Sequence, residues 1–191
     1  MKRIIISVVC FFCMCSVWAQ GRKMKVYQFH SINTIALVNG SNGVSAAIQT
    51  VNGFSKGPLF AGIGLSLDYY QYRSVPVFAD VRYELGKKRN KVFVYGDAGI
   101  NCSWVQEYYN DWPQPWERNR SNNFNNGFYS DAGIGLSAGF KNGNAFVLSL
   151  GYSRKTMEEK ITYDDWRTGN SQTDVNTYRF NRVLLKAGFR F

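Results

Sequence analysis

The chain has 191 residues, 45% hydrophobic and 16% aromatic, with 23 basic against 13 acidic side chains and a net charge of +10. That length suits one domain, and the basic balance suits anionic surfaces such as lipid phosphates or nucleic acid. After the first twenty residues no apolar run approaches the ~18 residues of a transmembrane helix, and helical periodicity is absent, so the elements to be read are strands.

The chain begins with the basic stretch Met1-Lys2-Arg3, followed by a mostly apolar run from Ile4 to Trp18 and a small-residue step at Ala19. Basic, apolar, then a small-residue cut is the pattern of a secretory signal. A membrane anchor would need a span of about 20 apolar residues. Residues 1–19 are therefore expected to be a cleaved signal peptide and 20–191 the mature domain. Cys10, Cys13 and Cys15 invite a lipoprotein reading, but Val9, Phe12 and Met14 before them are bulky where lipidation expects small residues. Removal of the signal leaves Cys102 as the lone cysteine and lowers the net charge to about +8; no disulfide within the chain is then available. For an exported chain the basic balance points to lipid, not nucleic acid.

Alternation of apolar and polar residues with period two marks a strand with one greasy face. Residues 26–38 and 44–51 are extended and rich in β-branched types, with mixed faces. The alternation is clear over residues 59–72, where Leu59, Ala61, Ile63, Leu65, Leu67 and Tyr69 oppose Gly62, Gly64, Ser66, Asp68 and Tyr70. It recurs over 75–85, 92–104, 128–140 and 145–155, the last with Phe146, Leu148, Leu150 and Tyr152 on its apolar face. In the final piece, 178–191, Val183, Leu185, Ala187, Phe189 and Phe191 oppose Arg182, Leu184, Lys186 and Arg190. An Ala-Gly-Ile-Gly-Leu-Ser motif occurs at both 61–66 and 132–137, with a spacing too irregular for a solenoid. Eight strands in all suit a closed antiparallel barrel with both ends on one side.

The polar faces collect Asp68, Asp80, Glu84, Asp97 and Asp131 with Arg82, Arg182, Lys186 and Arg190. Nine charges would not line the greasy ligand cavity of a soluble lipocalin-like barrel. Turned inside out the pattern is natural: apolar residues meet hydrocarbon and the charges meet one another in the interior. Facing Arg182, Lys186 and Arg190 to lipid would cost roughly 6–12 kcal/mol at most, at about 2–4 kcal/mol each. The expected periplasmic turns, 53–58, 86–91 and 141–144, are short. The outward connections include two long loops, 106–127 and 157–174, and two tight ones, 39–43 and 71–74. Tyr69, Tyr70, Tyr72, Trp104, Tyr108 and Tyr109 gather near the outer ends, as an aromatic girdle would.

Chemistry is sparse. His30 is the one histidine and stands beside Ser31, a pairing common by chance; no catalytic residue is assigned and an enzyme is not expected. One histidine and one mature cysteine do not make a zinc site. Asp164, Asp165 and Asp174 lack the ligand spacing of a calcium loop, so neither a metal nor a cofactor is expected. The aromatic, proline-punctuated segment 108–120 offers Tyr108, Tyr109, Trp112, Trp116 and Arg118 as a surface contact, or as an anchor against lipopolysaccharide. A channel is disfavoured, because eight strands leave an interior just wide enough for side chains.

On these strands and on the terminal row Val183, Leu185, Phe189 and Phe191, the chain resembles the small eight-stranded outer-membrane barrels of Gram-negative bacteria, of the general OmpA-like transmembrane kind, over residues 25–191. The resemblance implies an all-β, eight-stranded antiparallel transmembrane up-and-down barrel. It also implies residence among outer-membrane lipid and lipopolysaccharide, and recognition of those four terminal residues by the barrel-assembly machinery. The expected role is structural or surface-interacting through two long extracellular loops, with a closed lumen. A small porin-like channel, or a barrel enzyme acting on lipid A, are the alternatives.

Overall fold

The computed structural model describes residues 27–86, 89–105, 117–141, 143–165, 167 and 169–191. It contains β1 (Gln28–Gly40), β2 (Gly43–Lys56), β3 (Leu59–Asp68), β4 (Ser74–Leu85), β5 (Asn90–Ser103), β6 (Glu117–Asn125), β7 (Gly127–Gly139), β8 (Ala145–Asp165) and β9 (Asn170–Arg190). Every pairing is antiparallel, and β9 returns to pair with β1 from Ile32↔Arg190 to Gly40↔Arg182, which closes an up-and-down ring of eight strands. Closure leaves the ring without an edge. The ninth segment, β6, stands outside the ring and pairs with the far half of β8.

The alternation read in the sequence becomes the two faces of the wall. Val81, Val94, Ile134, Leu150 and Leu185 face outward and are about half exposed, while Asp80, Asp97, Asp131, Arg182 and Lys186 face inward and are buried. This is the arrangement of a barrel whose solvent is hydrocarbon. The short turns lie at the end that carries the termini. Gly57 and Pro58 join β2 to β3, with Gly57 at a φ of 64° that favours glycine. Inward glycines make room for neighbouring aromatics: a Cβ on Gly64 would lie 2.2 Å from Phe78, and one on Gly151 would lie 2.0 Å from the Tyr95 hydroxyl.

Three sequence expectations are corrected. The connection 157–174 is not a long loop: β8 and β9 stay paired from Thr156↔Arg179 to Asp165↔Asn170, well past the end of the β1–β2 hairpin at Gly40↔Gly43. Of the other long connection, 117–125 is β6, which carries the line of β7 onward after a break at Asn126, and residues 106–116 lie outside the described residues. A three-stranded extension of β6, β8 and β9 thus rises from the far end of the barrel. Third, Tyr70 and Tyr72 are not girdle residues. β3 stops at Asp68, but burial keeps its period of two through the bend that follows, with Gln71 at a φ of 59°, so Tyr70 and Tyr72 share the inward parity of Asp68 and Ser74 and are 2% and 8% exposed. Tyr69 and Trp104 do face outward.

Candidate functional site

The charged residues of the interior are stacked in tiers along the barrel axis, because each strand contributes an inward position every second residue. At the end with the termini, Glu84 pairs with Arg190 and accepts a 2.6 Å hydrogen bond from Lys91. At the same rim the His30 ring meets the Ser55 hydroxyl at 3.1 Å and the Phe191 carbonyl at 3.2 Å. The sequence neighbour Ser31 belongs to the outer face, so the His30–Ser31 pairing does not form.

One step inward, Arg82 donates to both oxygens of Asp80, at 2.8 Å from Nη2. Its guanidinium also lies 5.6–6.0 Å from the ring centres of Phe60, Phe93 and Tyr95, within cation–π range. Next comes a row of three acids in register, Asp80↔Asp97 and Asp97↔Asp131, on β4, β5 and β7. Like charges directly opposite repel. Lys186 of β9 offsets this from across the interior, at 2.5 Å from Asp131 and 3.6 Å from Asp97, with its Nζ 4.5 Å from the Tyr95 ring centre. The Tyr95 hydroxyl donates to Asp131 at 3.0 Å and the Gln49 amide donates to Asp97 at 3.3 Å.

In the last charged tier Asp68 pairs with Arg182 and, at 3.4 Å, with Lys155. Lys155 also donates to the carbonyls of Tyr70 and Tyr72 and to the Ser74 hydroxyl, at 3.0–3.1 Å. It therefore pins the β3–β4 bend over the interior. Lys155 was missed in the sequence although the signal was there: Phe146, Leu148, Leu150 and Tyr152 define the lipid face of β8, so residue 155 falls on the other. With it and Lys91, the five acids expected in the interior meet six bases.

Above this tier an aromatic cap spans the far mouth. Tyr72 stacks against Phe124, Tyr178 and Phe180 with centroids 5.1–6.2 Å apart, and Met157 and Leu184 pack beneath. Tyr178 donates to Glu159 at 2.7 Å, and burial together with that bond pushes its phenol above the ordinary range, so it stays neutral.

All nine charges expected in the interior face inward and are paired. Val183, Leu185, Phe189 and Phe191 share the outer face of β9 and its end, each 47–57% exposed. Tyr108, Tyr109, Trp112 and Trp116 lie outside the described residues, and Arg118 falls on β6 in register with Asp164. In the extension Asp164 accepts from Ser171 at 2.5 Å and Asp165 accepts from Arg167. Among the described residues no cluster has the makings of a metal site.

No protein-family model matches the sequence, and neither does any curated protein. Among solved structures the chain is similar to Neisserial surface protein A (NspA), at 14% identity over 86% of this chain and 95% of that one, with a TM-score of 0.50. It is also similar to outer membrane protein AlkL in lipid bilayers, at 8% identity over 91% and 93%, with a TM-score of 0.49. At such identity the likeness to NspA speaks of architecture. With the closed ring, the apolar exterior and the paired interior, the chain has the fold of a small eight-stranded transmembrane β-barrel of the outer-membrane kind.

Proposed function

We propose that this chain is an exported protein of the Gram-negative outer membrane, structural or surface-interacting, with a closed lumen and no catalytic role. The observation that carries the reading is the wall itself, apolar outside and filled inside by paired charges under an aromatic cap. Residues 1–19 act as the signal peptide and are cleaved. The end with the short turns faces the periplasm, and the β6–β8–β9 extension stands outside the cell. Val183, Leu185, Phe189 and Phe191 present the row read by the barrel-assembly machinery. Outer-membrane lipid and lipopolysaccharide surround the wall. Tyr108, Tyr109, Trp112 and Trp116, which precede β6 in the chain, together with Arg118 on β6, form the contact surface for an extracellular ligand or a neighbouring protein.

Cell fractionation combined with heat-dependent gel mobility tests the reading. The protein is expected in the outer membrane, migrating faster unheated than boiled. Deletion of residues 108–120 is expected to preserve that shift while abolishing binding of labelled cells to host extracts. A soluble periplasmic product would refute the location, and undiminished binding by the deletion variant would refute the contact surface.

A further inference from the structure

The mixed faces of the first two strands have a specific origin. On β1 and β2 the inward positions include the apolar Ile32, Ala36, Val38, Ala47 and Val51 beside Thr34 and Gln49, while Ser31, Asn33, Thr50 and Asn52 point outward. The four outward residues are contiguous, since Ser31 is in register with Asn52 and Asn33 with Thr50. Their depth is set by their neighbours. The Phe29–Phe54 pair lies on one side and the Ile35↔Ile48 pair on the other, one two-residue step of roughly 7 Å away in each direction. The patch therefore falls within an apolar band about 25 Å tall. Elsewhere at this depth the wall is Val81, Val94, Ile134 and Leu150.

Polar groups facing hydrocarbon are costly unless they find partners. The Asn33 amide donates to Ser31 at 3.2 Å, but among the described residues the Asn52 amide and the Thr50 hydroxyl have no partner. Beside the patch lies a groove of about 550 Å³, lined by Asn33, Ile35, Thr50, Leu65, Ala187 and Phe189. On the other side Ile63, the register partner of Asn52, protrudes and is 69% exposed. One face of the barrel thus carries a hole, a knob, and groups that both donate and accept.

We propose that this β9–β1–β2–β3 face is the interface of a two-fold homodimer within the membrane. A carboxamide can pair with a second copy of itself, and a two-fold axis brings the same patch, knob and hole together from both sides. The small Ala187 in the groove allows close approach. An acyl chain in the groove would leave Asn52 and Thr50 as unsatisfied as before, which is why a second copy is the fitting occupant. The inference rests on the membrane reading above.

Cys102 supplies an internal control. It lies on β5, four places from β1 around the ring of eight, so it sits on the opposite wall. The full mature barrel is folded into phosphatidylcholine–phosphatidylglycerol vesicles at high dilution, and insertion is checked by heat-dependent mobility. Under a mild oxidant, Thr50→Cys in a Cys102→Ser background is expected to form disulfide-linked dimers about tenfold faster than the native Cys102 does, the factor that ~1.4 kcal/mol of preference gives. Adding Asn33→Leu and Asn52→Leu suits the wall better to lipid, so folding is retained, and the rate is expected to fall to that of Cys102. Equal rates at positions 50 and 102, or no effect of the leucines, would overturn the proposal. A barrel that never inserts fails the membrane reading and this inference together, whereas an inserted barrel without selective cross-linking fails the inference alone.

Discussion

Lys186 holds together the least favourable arrangement in the barrel, three carboxylates side by side on β4, β5 and β7. Arg82 answers Asp80, but Asp97 and Asp131 depend on one ammonium. Removing one partner of a buried pair leaves an uncompensated charge and costs about 3–5 kcal/mol. Lys186→Met is therefore expected to lower stability by about that amount, read as the urea midpoint of tryptophan fluorescence in vesicles. Lys186→Met combined with Asp131→Asn should recover much of the loss, since one orphaned charge is gone; a double variant no better than the single would mean that packing, not charge, made Lys186 matter. The inward charges were legible from parity alone, because period two is strict wherever a strand is regular. The same parity corrects the girdle. The strand through Asp68 stops short of residue 72, yet the parity that puts Asp68 inside also puts Tyr70 and Tyr72 there, so their reading as girdle residues sets nearness to the outer end above the face they share with Asp68.

The β8–β9 hairpin illustrates, at the scale of an element, why its outer half could not be read. Within the membrane each strand needs a greasy face, and the alternation is loud. Beyond it both faces meet water or protein, so Lys160, Thr162, Asp174 and Thr177 are as acceptable as valine, and a regular strand reads as a polar loop. Faint traces remain in Met157, Glu159 and Ile161, which alternate with exposed or half-exposed residues and are buried. Because the extension adds its pairs after the ring has closed, the wall should not need it. Replacing residues 158–177 by Asn-Gly, a tight turn suited to the paired Met157 and Tyr178, is expected to leave heat-dependent mobility intact and to shift the urea midpoint little. Loss of the folded band would show that β6 and the far half of the hairpin are part of the folding unit. The first hairpin was obscure for another reason: both its faces are mixed, with Ile32, Val38 and Val51 inside beside Thr34 and Gln49, and Asn33, Thr50 and Asn52 outside among Phe29, Ile35, Ile48 and Phe54, at the very face assigned to a second copy of the chain.

At the scale of the molecule, the closed lumen proposed above would be distributed and belong to no single residue. An eight-stranded ring leaves room for side chains and little more. Here that room is filled in series by the Glu84–Arg190 rim, the Arg82–Asp80 fork with its three aromatic rings, the Lys186 tier, the Asp68–Arg182–Lys155 tier and the Tyr72 cap. A path for ions must pass all five. Tyr72→Ala removes the centre of the cap but leaves Lys155 beneath it, held by two backbone carbonyls and Ser74. Arg82→Ala opens the fork but leaves the Lys186 tier on one side and Glu84 with Arg190 on the other. Planar-bilayer recording of the native protein and of each single variant is therefore expected to give no stable single-channel steps, although both variants should unfold at lower urea. Stable steps in the native protein would refute the closed lumen. Steps confined to Tyr72→Ala would locate the whole barrier in the cap, make the charged tiers beneath it permeable, and turn the β3–β4 bend pinned by Lys155 into a gate.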